Sequence, residues 1–570
     1  MSTSQLNPET RTKVLERLAA TRYDVLVIGG GVTGAGVALD AATRGLSVAL
    51  VEKRDWASGT SSRSGKLIHG GLRYLEQLNF GLVREALRER RLILKTLAPH
   101  LAVPLQFLYP LKHRVWERAY MGSGVMLYDT MGGAGAVPHH GHVTLSKIRQ
   151  IAPGLDDSQL IGGLTFFDVQ IDDARHTMEL VRTAASRGAD VASALAVKDL
   201  IIEDGAVVGA KVIDAETGAE TAIRARVVVN ATGVWSDRIR EMAPGRPSFS
   251  VRASKGIHLM VPRDRIDSTI SLFVRAEDSV LFVRIWGDHW LIGTTDTTWK
   301  ESLDHPAATA TDVEYLLRNI NRVLRTKLTT DDIDGVFSGL RPLVTADKSV
   351  NSKLSREHAV ETSPRGLITV AGGKYTTYRV MAKDVVDEAA KALGTKTPCT
   401  TLTVRMIGAT GLEAATNQLR REAPGLGIDD AHVEHLLRRY GSMVTDILDL
   451  VHDRPELAGP VPAADAYLLA EIVYAVTHEG ALHIDDVLTR RTHIAIETHH
   501  RGLASVEAVG DLIAGELGWD QARTAAEVAH YRERVRAERE AEKLPDDVSA
   551  AKVRDEVPDP RVVATHLEEQ

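Results

Sequence analysis

Cysteine is almost absent from this chain. Cys399 stands alone among 570 residues, which excludes an intramolecular disulfide and any zinc or iron–sulfur site built on several thiolates, and suits a reducing cytoplasm. No uninterrupted apolar run reaches the roughly 20 residues that span a bilayer. The opening residues, MSTSQLNPETRTKVLERLAATR, contain no apolar stretch of the signal-peptide kind, so export by a standard signal is not expected. Basic residues are not in surplus either. The formal net charge of -7 argues against a general nucleic-acid binder and leaves room for a local basic face that meets anionic lipid or an anionic substrate. Solenoid-like repeats are not apparent. His139-His140 and His499-His500 are adjacent pairs, not the i, i+4 spacing of a helical metal site, and no metal is expected.

What is there is a globular composition, 44% hydrophobic and 25% charged, on a chain long enough for two or three domains. The segment YDVLVIGGGVTGAGVALDAATRGLSVALVEK, starting at Tyr23, reads as strand, glycine turn, helix and second strand. Gly29, Gly31 and Gly34 fill G-x-G-x-x-G, which permits a tight bend, close backbone approach to a pyrophosphate, and close packing of helix on sheet. The helix start offers free N–H groups to phosphates. Glu52 ends the second strand, where a carboxylate accepts hydrogen bonds from an adenosine ribose. A glycine-rich turn with a solvent-facing Glu52 is the structural alternative. The fingerprint alone does not choose between a nicotinamide and a flavin dinucleotide.

Further along, turns at Asp204-Gly205 and Glu216-Thr217-Gly218 join short strands into a β-meander. It ends in an apolar strand followed by Ala231-Thr232-Gly233, which resembles the second flavin motif of two-dinucleotide-binding-domain flavoproteins. Near Leu367 an apolar strand, a Gly372-Gly373 turn, Lys374 and a helix opened by Thr376 and Thr377 form a third such unit, whose helix start is expected to face the flavin ring. The stretch SSRSGKLIHGGLRYLE, Ser61 to Glu76, has the glycines, lysine and hydroxyls of a phosphate loop. From Gly59 to Lys66 it nevertheless has one residue too many for a Walker loop, and Leu67 stands where a hydroxyl is needed.

GGGVTGAG, SGKLIHGGLRYLE, NATGVW, IGTTD, GLRPL and AGGKYTTYR, in this order, resemble the FAD-dependent, quinone-linked glycerol-3-phosphate dehydrogenases of aerobic metabolism. The resemblance covers about Tyr23 to Thr400 and, with weaker motifs, a helical stretch to about Lys543. It implies an α/β fold: a discontinuous Rossmann-like FAD domain, an α+β substrate domain on an antiparallel sheet, and a C-terminal helical cap. The expected boundaries are a polar tail at 1–22; the FAD domain at 23–100, 145–245 and 335–400; the substrate and membrane-facing domain at 101–144 and 246–334; the cap at 401–545; and a disordered tail at 546–570. The implied reaction is oxidation of sn-glycerol 3-phosphate to dihydroxyacetone phosphate, with hydride transfer from C2 to FAD N5 and electrons passed to a membrane quinone. An oxidase using oxygen and a non-catalytic flavoprotein scaffold are the alternatives.

By the same resemblance Ser61, Ser62 and Lys66 serve the cofactor, together with the three glycine motifs. His69 and Arg73 face the substrate, His69 as base and Arg73 steadying the alkoxide. Arg341 and Arg356 clamp a phosphate that carries about -1.5 to -2 charges near neutral pH, because two parallel guanidinium N–H groups match two phosphate oxygens. Lys374 lies at the pyrimidine edge of the flavin, close to the substrate. Two segments are candidates for peripheral contact with the inner face of the cell membrane: GLVREALRERRLILKTL, and LKHRVWERAYMGSGVMLYDTM, which mixes Lys112, Arg114 and Arg118 with Trp116, Tyr120, Met121 and Met126. The first reads more simply as a helix packed on one side. A homodimer is possible from the sequence, and DQARTAAEVAHYRERVRAEREAEK, from Asp520, reads as a solvated helix.

Overall fold

In the computed structural model, residues 4–557 are described, apart from 72, 77, 114–115, 133–136, 244, 246–247, 278–279 and 347–357. The strand Arg22–Ile28 shows almost no polar alternation because both of its faces are covered, one by helices and the other by a β-meander and the N-terminal helix, the condition that makes parallel strands uniformly apolar. It pairs in parallel with Val48–Val51 on one side and Glu220–Asn230 on the other. Asp190–Ala192 and Leu367–Gly372 extend the sheet in parallel, and His358–Thr362 closes one edge antiparallel. Leu195–Glu203 and Ala206–Asp214 complete the meander onto Glu220–Asn230. Its turns use positive φ at Asp204, Gly205 and Gly218, as their residue types foretell. The helices Val32–Thr43, Asp173–Ser186 and Tyr378–Leu393 contribute to the core over this sheet.

A ten-stranded mixed sheet stands beside it. Phe249–Pro262 pairs antiparallel with Gly335–Ala346 along nearly its whole length and with His289–Gly293 on its other side. Val280–Trp286, Ser271–Arg275, Ala102–Leu111, Gly162–Ile171 and Leu67–Ile68 follow in order. This corrects the expected domain boundaries. Leu67–Ile68, Gly162–Ile171 and Gly335–Ala346 belong to the second sheet, although all three fall in segments assigned to the FAD domain. An apolar strand announces its burial but not its partner, so the sequence does not show that the chain crosses between the sheets at these points.

The expected polar tail and the expected disordered tail each contain a helix. Pro8–Ala20 is a helix with a capping box between Asn7 and Thr10, and it buries Val14 and Leu18 against the meander side of the first sheet. Asp547–Asp555 is also a helix, N-capped by Asp546, with Ala550, Ala551 and Arg554 buried. The expected disorder is therefore wrong for this part of the tail, and residues 558–570 lie outside the described residues. The helix Gln521–Ala541 carries the expected charges, yet one side buries Val528, Tyr531 and Val535.

The cap, whose helices include Leu412–Leu426, Asp430–Tyr440 and Leu469–Thr477, is joined to the turn at Asp55 and to the start of the helix Asp173–Ser186 by buried and partly buried charged contacts. Arg491 holds Asp55, Glu479 holds Arg175, and Asp172 takes both His493 and Arg439. Unpaired, such charges would be costly to bury.

Candidate active site

One cavity of about 910 Å³ runs between the two sheets, and residues from all three flavin-type motifs line it. At its first end the turn after Arg22–Ile28 needs its glycines for space. A Cβ on Gly29, at φ +110°, would come within 2.6 Å of the Ala231 carbonyl oxygen, and one on Gly34 within 1.9 Å of the Gly29 carbonyl oxygen. Gly34 is thus a packing glycine, whereas Gly29 and Gly31 line the cavity. The helix that follows is N-capped by Gly31 without any side-chain cap, which leaves first-turn N–H groups for an anion. Ser61 accepts the Val32 N–H at 2.9 Å while lining the cavity, so its own hydroxyl proton remains to be donated. Glu52 is oriented by the N–H groups of Gly30 and Arg54, at 2.7 and 3.0 Å, and each carboxylate oxygen keeps acceptor capacity. Ala231, Thr232, Gly233, Gly372, Gly373 and Thr376 line the same cavity.

The other end is built from the second sheet and the loop at His69. The Thr376 hydroxyl lies 3.2 Å from both the N–H and the carbonyl oxygen of His69, and the Gly70 N–H donates to the Tyr128 hydroxyl at 2.6 Å. Tyr128 donates in turn to Asp168, which also holds Arg90. His258 stacks on Phe337 with ring centroids 4.9 Å apart. Gly293 opposes His258 across the strands, and a Cβ there would strike the imidazole at 2.1 Å, so the glycine lets the ring lie flat over the sheet. Gly256 does the same for Arg341, which lines the cavity with Thr294 and whose guanidinium is tied to Thr294 and to the exposed Asp296. Lys374 places its ammonium 3.6 Å from the centroid of the Tyr74 ring.

A family model described as FAD dependent oxidoreductase matches residues 24–379, and one described as the C-terminal domain of alpha-glycerophosphate oxidase matches residues 399–524. A glycerol-3-phosphate dehydrogenase of Mycobacterium leprae is 51% identical over 98% of this chain and 96% of its own length. The human mitochondrial glycerol-3-phosphate dehydrogenase is 32% identical over 96% of this chain and 79% of its own. Among solved structures, the glycerol-3-phosphate dehydrogenase of Bacillus halodurans complexed with FAD superposes with a TM-score of 0.78 at 30% identity, covering 93% of this chain and 98% of that one. The chain belongs to the FAD-dependent glycerol-3-phosphate dehydrogenases.

The residues present fit FAD, the cofactor of this family. The space kept by Gly29, the uncapped helix start at Gly31 and the oriented carboxylate of Glu52 suit a pyrophosphate and a ribose. Three residues named from the sequence are not among those the structure brings to the cavity wall: Ser62, Lys66 and, as noted, Gly34. Lys66 adopts φ +49° and buries its ammonium against Asp173 at 2.6 Å, and Ser62 offers its carbonyl oxygen to the same ammonium. Arg73 opens the short helix Arg73–Glu76; its side chain, the whole of Arg356, and Arg114 lie outside the described residues. The sequence reading of this glycerol-3-phosphate dehydrogenase family member also missed His258, Tyr74 and Arg284, all of which line the cavity. For Arg284 a signal exists: a lone charge inside the apolar strand VLFVRIW.

Proposed function

We propose that this family member oxidises sn-glycerol 3-phosphate to dihydroxyacetone phosphate and delivers the electrons to a membrane quinone. The observation that carries the reading is the chemistry gathered at the second-sheet end of the cavity: two histidines, His69 and His258, beside three cations, Arg284, Arg341 and Lys374. A secondary alcohol bearing a phosphate calls for a base and fixed positive charge together. The names of the relatives agree with this substrate.

A bound FAD would supply, at N5, the acceptor for the C2 hydride. The proton of the C2 hydroxyl goes to a base, and His69 is our assignment. Burial, then Arg284, Arg341 and Lys66, depress His258 well below the ordinary imidazole value, which makes it a weak proton acceptor. Burial also lowers His69, helped by Lys374, Arg284 and Arg90, but Asp168 opposes that shift. His69 is therefore neutral at pH 7 and ready to accept a proton. Because the useful form is the neutral one, the acid limb of flavin reduction should fall below the ordinary imidazole value of about 6.5 as His69 protonates. Arg73 is assigned to the developing alkoxide, Arg341 and Arg356 to the phosphate, and Lys374 to the flavin edge.

Anaerobic mixing with glycerol 3-phosphate tests the reading, with bleaching of the flavin as the signal. His69→Ala should slow bleaching by about 10²- to 10⁴-fold, the usual contribution of a positioned base, with little effect on substrate affinity. An unchanged rate removes His69 from the reaction. Hydrogen peroxide formed in step with substrate, without quinone, would make the protein an oxidase.

A further inference from the structure

Among the described residues, buried arginines come with carboxylates. Arg90 holds Asp168, Arg175 holds Glu479, Arg491 holds Asp55 and Arg379 holds Glu89. Arg284 departs from the pattern. It is 1% exposed, Nε and Nη1 of its guanidinium have no hydrogen-bond partner among the described residues, and it lines the cavity. The one carboxylate that opposes its desolvation is Asp173. That carboxylate already accepts from the Ser64 N–H, the Ser64 hydroxyl and the Lys66 ammonium. Burial pushes the Arg284 guanidinium down to about 9, which still leaves it a cation at neutral pH.

Sheet register says where this cation sits. Phe282 opposes Gly293, and Gly293 opposes His258, so the three share one face. Arg284 lies two residues beyond Phe282 on the same strand and shares that face. Along Phe249–Pro262 the same face runs from His258 through Gly256 to Ser254, which opposes Arg341. Arg284 and Arg341 therefore flank His258, and Arg284 is the charge that His258 feels most strongly. The turn that suits a pyrophosphate belongs to the other sheet.

We propose that Arg284 is a substrate-binding residue, whose unpartnered guanidinium takes phosphate oxygens of glycerol 3-phosphate and gains from that dianion the counter-charge the protein does not supply. This rests on the substrate reading above. The test uses the flavin-loaded enzyme, with inorganic phosphate as the probe, and the variants Arg284→Met and Arg284→Lys.

Arg284→Met should raise both the KM for glycerol 3-phosphate and the inhibition constant of phosphate by about ten- to a hundredfold, the worth of one charge-assisted contact. The kcat should change little, since the phosphate is held alike before and during reaction. Arg284→Lys should recover part of the affinity. Without phosphate, Arg284→Met should melt no lower than the unmodified enzyme, because an unpaired buried charge has gone, and the rise in melting temperature that phosphate gives should shrink. An unchanged phosphate inhibition constant overturns the proposal. So does a variant that fails to fold, or one whose kcat pH profile moves while phosphate affinity stays. If the unmodified flavin is not bleached by glycerol 3-phosphate, the substrate reading fails separately, and the phosphate-dependent melting shift still reports whether Arg284 holds an anion.

Discussion

Lys66 and Asp173 form an ion pair whose side chains are 1% and 0% exposed. Asp173 also accepts from the backbone and side chain of Ser64 and from the Ala174 N–H, so its charge is almost saturated by donors from one loop and one helix start. Removing one member of such a pair leaves the other charge buried, at a cost of about 3–5 kcal/mol. Lys66→Met should therefore lower the urea midpoint of unfolding while leaving the flavin content of the folded fraction intact. Lost flavin with an unmoved midpoint would restore Lys66 to the cofactor. The family motif predicted a cofactor contact because it gives residue types and spacing but not side-chain direction. Here that direction follows from a positive φ on a lysine and from a partner 107 positions away. Gly29 was legible for the opposite reason: its constraint is local, and only glycine meets it.

At the scale of elements, the helix Trp116–Gly132 has two unlike faces. Val125 and Tyr128 are buried, and Tyr128 ties the helix to the His69 loop through the Gly70 N–H. Trp116, Tyr120, Met126 and Leu127 are exposed by 56, 53, 55 and 39%. Trp116, Tyr120 and Leu127 recur at helical spacing, with Ser123 between them, so they form a stripe, and Met126 lies to one side of it. Among the described residues no helix is long and apolar enough to cross a membrane, and an amphipathic stripe of this kind suits insertion at the headgroup level. The triple variant Trp116→Ser, Tyr120→Ser, Leu127→Ser should lose flotation with anionic liposomes at low salt while keeping its rate of flavin reduction by substrate. Unchanged flotation would rule out this helix as a membrane contact. The other segment considered for this role, the helix Phe80–Leu92, spends two of its charges inside: Glu89 on Arg379 and Arg90 on Asp168. Helical spacing was readable from the sequence in both segments. Which arginines meet solvent was not, because that depends on carboxylates distant in the chain.

Across the whole molecule, the last described helix closes the assembly. Asp547–Asp555 packs Ala550 and Ala551 against Val234, Trp299, Leu340 and Ala541, which come from the first sheet's glycine turn, the second sheet and the cap. Asp547 pairs with Lys255 on the long strand Phe249–Pro262, and Arg554 pairs with Glu538 on the helix Gln521–Ala541. Asp555 reaches the cavity wall, where burial pushes its carboxyl up. The sequence offered no sign of this, because the segment's few apolar residues are small and its partners lie in three different regions. The two large cores of the sheets do not include the helix, so a chain ending after Pro545 should still fold. Lys255 would keep Asp312 as a partner, but Val234 and Trp299 would lose their cover. We expect a destabilisation of about 2–4 kcal/mol, from reopened apolar surface and broken partly buried pairs, and faster loss of FAD, read as rising fluorescence of the released flavin on dilution. Retention of flavin at the full-length rate, with only the melting point lowered, would confine the helix to a structural role remote from the cofactor.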